Sequence, residues 1–167
     1  TGFDGTDWVQ LVDSELGAFA IYDNEPENAE VYGNLYNWYA VDDIRNVCPA
    51  NWHVPSDEDY MVLELDLGMN IEDVHDSGMR GTIEGGMLKE IGISNWHEPN
   101  TSATNESNFR ALPGGYRGYG GGSYSILGER GFYWSSSGNG AEHAWHRELR
   151  HNTSTIGRMG VFSKSDG

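Results

Sequence analysis

Residues 131–167, GFYWSSSGNGAEHAWHRELRHNTSTIGRMGVFSKSDG, decide how the rest of the chain has to be arranged. Phe132, Tyr133 and Trp134 open the stretch as a bulky apolar run, and Ser135, Ser136 and Ser137 follow. Gly-Asn-Gly at 138–140 is a turn signal that predicts a hairpin or loop. From Ala144 the residues alternate as in a strand: Ala144, His146, Glu148 and Arg150 on one face, Trp145, Arg147 and Leu149 on the other. Burial of Trp145 and Leu149 then turns His146, Glu148 and Arg150 outward. Residues 151–157, HNTSTIG, lack a helical period and are rich in loop formers, and Val161 and Phe162 begin a last apolar pair. A strand presenting His, Glu and Arg beside a mixed polar loop has the make-up of a recognition surface; a solvated edge hairpin accounts for the same pattern.

At 167 residues the chain reads as one domain, long enough for a proper core. Six Trp, nine Tyr and 23 Gly favour aromatic anchors and many turns over a helical bundle. No run approaches a membrane span, so membrane insertion is not expected, and Thr1 does not begin a signal peptide; any targeting segment is removed or lies outside this chain. The net charge of −16 is uneven, with 21 acidic against 3 basic residues up to Asn100 and 5 against 7 from Thr101 on. A phosphate backbone needs a basic face, which argues against nucleic acid as a partner. The single Cys48 excludes an internal disulfide and multi-cysteine zinc patterns.

Further back, residues 1–12 read as a weak strand anchored by Trp8 and residues 17–22 as a short strand. Residues 23–30 read as a polar loop whose Asp23, Asn24, Glu25 and Glu27 lack EF-hand spacing. Tyr32, Leu35, Tyr36 and Tyr39 recur at i, i+3, i+4 and i+7, predicting a helical face within 31–41. In 48–60, CPANWHVPSDEDY, two prolines bracket an extended Trp52–His53–Val54, with His53 expected to be packed and hydrogen-bonded. Ser56 is a good N-cap, with acids in the first turn of a helix over 57–67 that carries Tyr60, Leu63, Leu65 and Leu67. A second short helix is expected over 87–91, a strand end at 111–112 before Pro-Gly-Gly, and a mobile glycine loop at 118–122 without a phosphate-binding ending. Trp52, Trp134 and Trp145 are expected in one core.

Five pieces in order, YGNLYNWYAV (32–41), CPANWHVPSDEDY (48–60), TNESNFRALPGGYR (104–117), YWSSS (133–137) and AWHRELRHNTSTIGR (144–158), resemble the Fibrobacter succinogenes major paralogous domain. That resemblance, over nearly the whole chain, implies an α+β domain spanning 1–167 with a C-type lectin-like fold: two helices flanking small antiparallel sheets, with long irregular loops. It implies a secreted, cell-surface or virion-displayed module without known catalysis. It also implies a final strand with a cysteine partner for Cys48 beyond Gly167. A second resemblance is to the variable proteins of diversity-generating retroelements, in which a C-terminal stretch is rewritten on a fixed scaffold. By that similarity Trp145, Arg147, Leu149, Ser154, Ile156, Arg158 and Lys164 are fixed. His146, Glu148, Arg150, His151, Asn152, Thr153, Thr155, Gly157 and Met159 are displayed.

Three functional readings follow. The first is a binding module that presents this surface to a protein or glycan ligand, such as one on a cell surface, with Tyr119 and Tyr124 as neighbours and Tyr116 of matching chemistry. Arg150 and Arg158 would steer an acidic or carboxylate-bearing partner there. The second is calcium-dependent sugar binding, because Glu98-Pro99-Asn100 matches a tripeptide of animal C-type lectins; the comparable Trp-Asn-Asp strand is Tyr133–Ser136 here, which leaves half a site. No other cofactor is expected. The third is an enzyme: Ser135–Ser137 beside His143 or His146 suggests a nucleophile and base, yet no Gly-x-Ser-x-Gly context exists, and the related formylglycine-generating enzymes use a cysteine pair.

Overall fold

In the computed structural model, which describes Trp8, residues 14–120 and residues 122–167, the 131–167 stretch supplies three strands of the largest sheet. Strands β1 (Phe19–Ala20) and β2 (Leu35–Tyr36) form a small ladder, with helix α1 (Pro26–Tyr32) between them and the single turn α2 (Trp38–Val41) after them. Helix α3 (Asp57–Asp66) leads through β3 (Gly78–Arg80) to the short α4 (Glu84–Leu88). Strands β4 (Tyr116–Arg117) and β5 (Tyr124–Ser125) pair with each other. Strands β6 (Arg130–Asn139), β7 (His143–Arg150) and β8 (Ile156–Ser163) join β3 in an antiparallel sheet of order β3-β8-β7-β6. The architecture is mixed helix and strand, with few helices and small antiparallel sheets. Among the described residues no helix is long and apolar enough to cross a membrane.

The lower face of this sheet meets α3. Ser56 caps the helix by accepting from the Asp59 amide at 3.1 Å, while Asp59 accepts from the Ser56 amide at 2.8 Å, so two otherwise orphaned donors are satisfied. Its buried residues are Asp57, Tyr60 and Glu64, spaced i, i+3 and i+7. Three neighbouring strands each place one arginine against them. Arg147 of β7 donates to Glu64 and to Asp57, both at 2.6 Å; Arg158 of β8 donates to Asp57 at 2.6 Å; Arg80 of β3 donates to Glu64 at 2.5 Å. Beside this network Leu149 and Ile156 pack with Met69, Val74, Leu88 and Trp96. Burial of each such aliphatic side chain stabilises the fold by roughly 1.5–3 kcal/mol.

Several expectations are corrected. The helical stripe in 31–41 is two helical pieces, α1 and α2, separated by β2; Gly33 at φ 77° ends α1 and turns the chain into the strand. The loop expected over 23–30 is largely α1, which Pro26 opens at its first position. The helix expected over 87–91 begins earlier, at Glu84, and ends at Leu88. Trp52 is 71% exposed rather than core. Its amide closes a turn onto the Pro49 carbonyl at 3.0 Å, and the prolines fix the backbone without placing an element over the indole. Trp134 and Trp145 are half-buried, and the enclosed tryptophans are Trp8, Trp38 and Trp96. His53 is exposed, 3.6 Å from Asp59. The strand expected over 1–12 lies outside the described residues apart from the buried Trp8, as does Gly121 of the glycine loop.

Candidate functional site

The upper face of the sheet carries the alternate residues. Register sets Arg130 opposite Arg150, Phe132 opposite Glu148 and Trp134 opposite His146 across β6 and β7. On the other side of β7, His146 faces Met159 and Glu148 faces Gly157 of β8. Residues in register share a face. Phe162 of β8 lies 4.7 Å from the His146 ring, centroid to centroid, and Tyr116 of β4 stacks edge-on against both Phe132 and Phe162. These four rings form the common wall of two concavities. One, about 380 Å³, runs past Tyr36 and Trp134 to Cys48 and Gly167. The other, about 600 Å³, opens over Arg130, Glu148, Arg150, Ile126, Met159 and Val161.

His146 and Glu148 therefore point to the expected face but are not displayed: they are only 2% and 4% exposed. β7 is an interior strand, and the aromatic wall covers what an edge strand would have left in water. Burial holds His146 down at about 3, against a weaker opposite pull from the Ala144 backbone, so the ring is neutral at ordinary pH. Its Nδ1 has no hydrogen-bond partner. Glu148 lies beneath two guanidiniums, accepting from Arg130 at 2.9 Å and from Arg150 at 2.8 Å and 3.3 Å.

The loop from 151 to 155 is gripped from below by Lys89, which is fully buried just past the end of α4. Its ammonium donates to the carbonyls of Thr101, Arg150 and Thr153 at 2.9–3.0 Å, and burial pulls its pKa down to about 8. The Gly86 amide donates to the Ser154 carbonyl, the His151 amide to Glu129, and the Thr101 amide to the His151 carbonyl. Gly85 permits this approach, since a Cβ there would collide with the Thr155 carbonyl. Within the loop Asn152 is exposed, and His151, Thr153 and Thr155 are half-buried. Gly157 is buried opposite Glu148, where the nearest atoms to an added Cβ would be side-chain atoms of Met159, Glu148 and Met79.

Other candidates lie apart. Tyr119, 45% exposed, and Tyr124 line neither concavity; Tyr124 stacks on Tyr22 and under Arg117 in the small core around Trp8. The Asn100 amide is turned inward to the carbonyls of Glu90 and Gly92, and the Glu98 carbonyl accepts from His151. Among the described residues no group of three or more His, Cys, Asp or Glu side chains is placed to hold a metal ion. Ser135 is buried and donates to the Trp145 carbonyl, and Ser137 accepts the Asp57 amide. Sequence reasoning missed Arg130, Ile126 and Phe162. The turn at 138–140 implies a β6–β7 hairpin, but a register shift between Trp134 and Gly138 hides which residue faces Arg150.

A family model described as the Fibrobacter succinogenes major domain matches residues 2–164. The chain belongs to that family. Neither a search of curated proteins nor one of solved structures returned a match. In this Fibrobacter succinogenes major domain, the residues that the resemblance marked as fixed all make internal contacts. Leu149 and Ile156 are core, Arg147 and Arg158 hold α3, and Trp145 lies under Arg158 at 3.9 Å. Ser154 donates to the Thr82 carbonyl, and Lys164 donates to the Gly140 carbonyl while lying over Trp38.

Proposed function

We propose that this domain is a non-catalytic ligand-binding module of C-type lectin-like architecture that presents the upper sheet face and the 151–155 loop to a protein or glycan. The reading extends to an extracellular setting, on a cell surface or virion, and to diversification of that face by a retroelement. The observation that carries it is a division of labour along β7 and β8. One face is committed to the buried ion network and core, while the other lines an open recess of about 600 Å³ edged by charged and apolar side chains. Recesses with a few convergent polar groups on an apolar wall are what ligands occupy. The calcium reading is not adopted, because Asn100 is buried with its amide nitrogen anchored to the Glu90 and Gly92 carbonyls, which keeps the residue off the surface where a sugar-bound ion would sit.

A displayed library tests this. Positions 150, 152, 153, 155, 159 and 161 are randomised, His146 and Glu148 are kept, and the pool is selected against lysozyme and streptavidin. Folded binders that lose binding when the original residues are restored are expected. A pool that unfolds, or that yields no binder to either target, refutes the proposal. Where sibling copies of the domain exist in one genome, their differences should fall on these positions.

A further inference from the structure

The recess contains a charge imbalance that narrows its partner. Arg130 and Arg150 converge on the single carboxylate of Glu148. A guanidinium has five N–H donors, and Glu148 takes one from Arg130 and two from Arg150. The carboxylate lies underneath at 6% side-chain exposure, while the arginines reach the opening at 39% and 31%. Donors therefore outnumber acceptors where solvent enters. Arg147 and Arg158, the other arginines of β7 and β8, are held by Asp57, Glu64 and the His75 carbonyl and add nothing to this face. Of the two arginines expected to steer an acidic partner, only Arg150 serves, and Arg130 takes the place of Arg158.

The rim identifies what carries the acid. Ile126, Met159 and Val161 edge the recess, and Val161 is 79% exposed. A sugar acid would need several partners for its hydroxyls, but the lining offers hydroxyls only from Tyr116 and Ser125. Aliphatic edges around paired guanidiniums suit an acidic side chain flanked by apolar ones. The chain as a whole carries −16, which repels a polyanion while leaving a short-range contact with one carboxylate attractive.

We infer that the recess takes the carboxylate of an Asp or Glu side chain on a protein partner, set between Arg130 and Arg150 with flanking apolar residues against Ile126, Met159 and Val161. This rests on the binding reading above.

The test is an NMR titration of the isotope-labelled domain with Ac-Leu-Glu-Leu-NH2, Ac-Leu-Gln-Leu-NH2 and glucuronate. The Glu peptide should shift the methyl signals of Ile126, Met159 and Val161 and the Nε–H signals of Arg130 and Arg150, and should weaken as salt rises. The Gln peptide should bind about tenfold more weakly, the effect of one lost charge-assisted hydrogen bond. Arg150→Gln should weaken the Glu peptide to a similar extent. Glu148→Gln, which removes the resident acid, should tighten it several-fold, whereas a purely structural Glu148 would make both variants weaker. Equal binding of the two peptides, tighter binding of glucuronate, or weakening by Glu148→Gln overturns the assignment; the comparison of probes on the unmodified domain needs no variant to fold. Failure here alongside library binders removes the acidic-partner class and keeps the face, whereas failure of both removes the face.

Discussion

At the scale of single residues, His146 shows how a side chain can sit on the anticipated face and still be inaccessible. Its pKa in the fold is about 3, below the ordinary histidine value, so on acidification the unfolded chain binds the proton first. Stability from this group is complete above about pH 6.5 and is lost as pH falls toward 3, by about 1.4 kcal/mol per pH unit. His146→Phe keeps a ring against Phe162 and Trp134 and removes that dependence. Urea midpoints of the two proteins should therefore converge at neutral pH and separate between pH 6 and 4, with the variant more stable; parallel profiles would contradict a neutral buried imidazole. Strand alternation in AWHRELR revealed the face of His146 because side-chain direction is a local property of the backbone. Its burial was hidden, because Phe162 and Tyr116 come from strands whose pairing the local pattern does not encode. Replacing His146 and Glu148 by Ala along with the loop residues would accordingly damage the fold.

Among the elements, α3 and the strands above it are joined by charge, through Asp57 and Glu64 of the helix and one arginine from each of three strands. The N-terminus of α3 was readable because Ser56 and Asp59 act within one turn. The partners of Asp57 and Glu64 were not readable, because they lie 83 to 101 residues away on β7 and β8 and 16 residues away on β3. Arg147→Met takes one of two guanidiniums from each of two buried carboxylates, leaving Asp57 with Arg158 alone and Glu64 with Arg80 alone, and should cost about 3–5 kcal/mol. Exchanging Arg147 together with Asp57, Glu64, Arg80 and Arg158 for apolar residues, so that no charge is stranded, should recover much of that loss. Urea titration of the single and fivefold variants decides it; equal destabilisation would mean that packing around the network, rather than stranded charge, sets the cost. The stripe in 31–41 misled for a different reason: i, i+3, i+4 spacing survives when a glycine breaks the helix, since periodicity records spacing and not continuity.

Across the whole molecule, one lysine connects segments far apart in the chain. Lys89 joins the end of α4 to the 101 segment, the end of β7 and the 153 turn through carbonyls alone. Lys89→Met would strand three carbonyls, at roughly 1–3 kcal/mol for each that stays dry. Amide exchange should then accelerate at Thr101, His151 and Thr155 well before it does in β6; uniform acceleration would show that Lys89 supports the global fold rather than this loop. Lys89 holds backbone and not side chains, and so do the Gly86 and Thr101 amides. The loop's path is thus specified largely by residues outside it, with the Thr153 hydroxyl accepting the Thr155 amide within it. Two copies of the domain that differ at the exposed Asn152 would inherit the same curve of backbone and nearly the same melting temperature, whereas changes at His151, Thr153 or Thr155 also remove bonds that these side chains make to Glu98 and to one another. Under the proposed diversification, much of the cost of a new surface would fall on Lys89, Gly85 and Gly86, outside the positions that change, so that new surfaces could be explored without first restoring the fold.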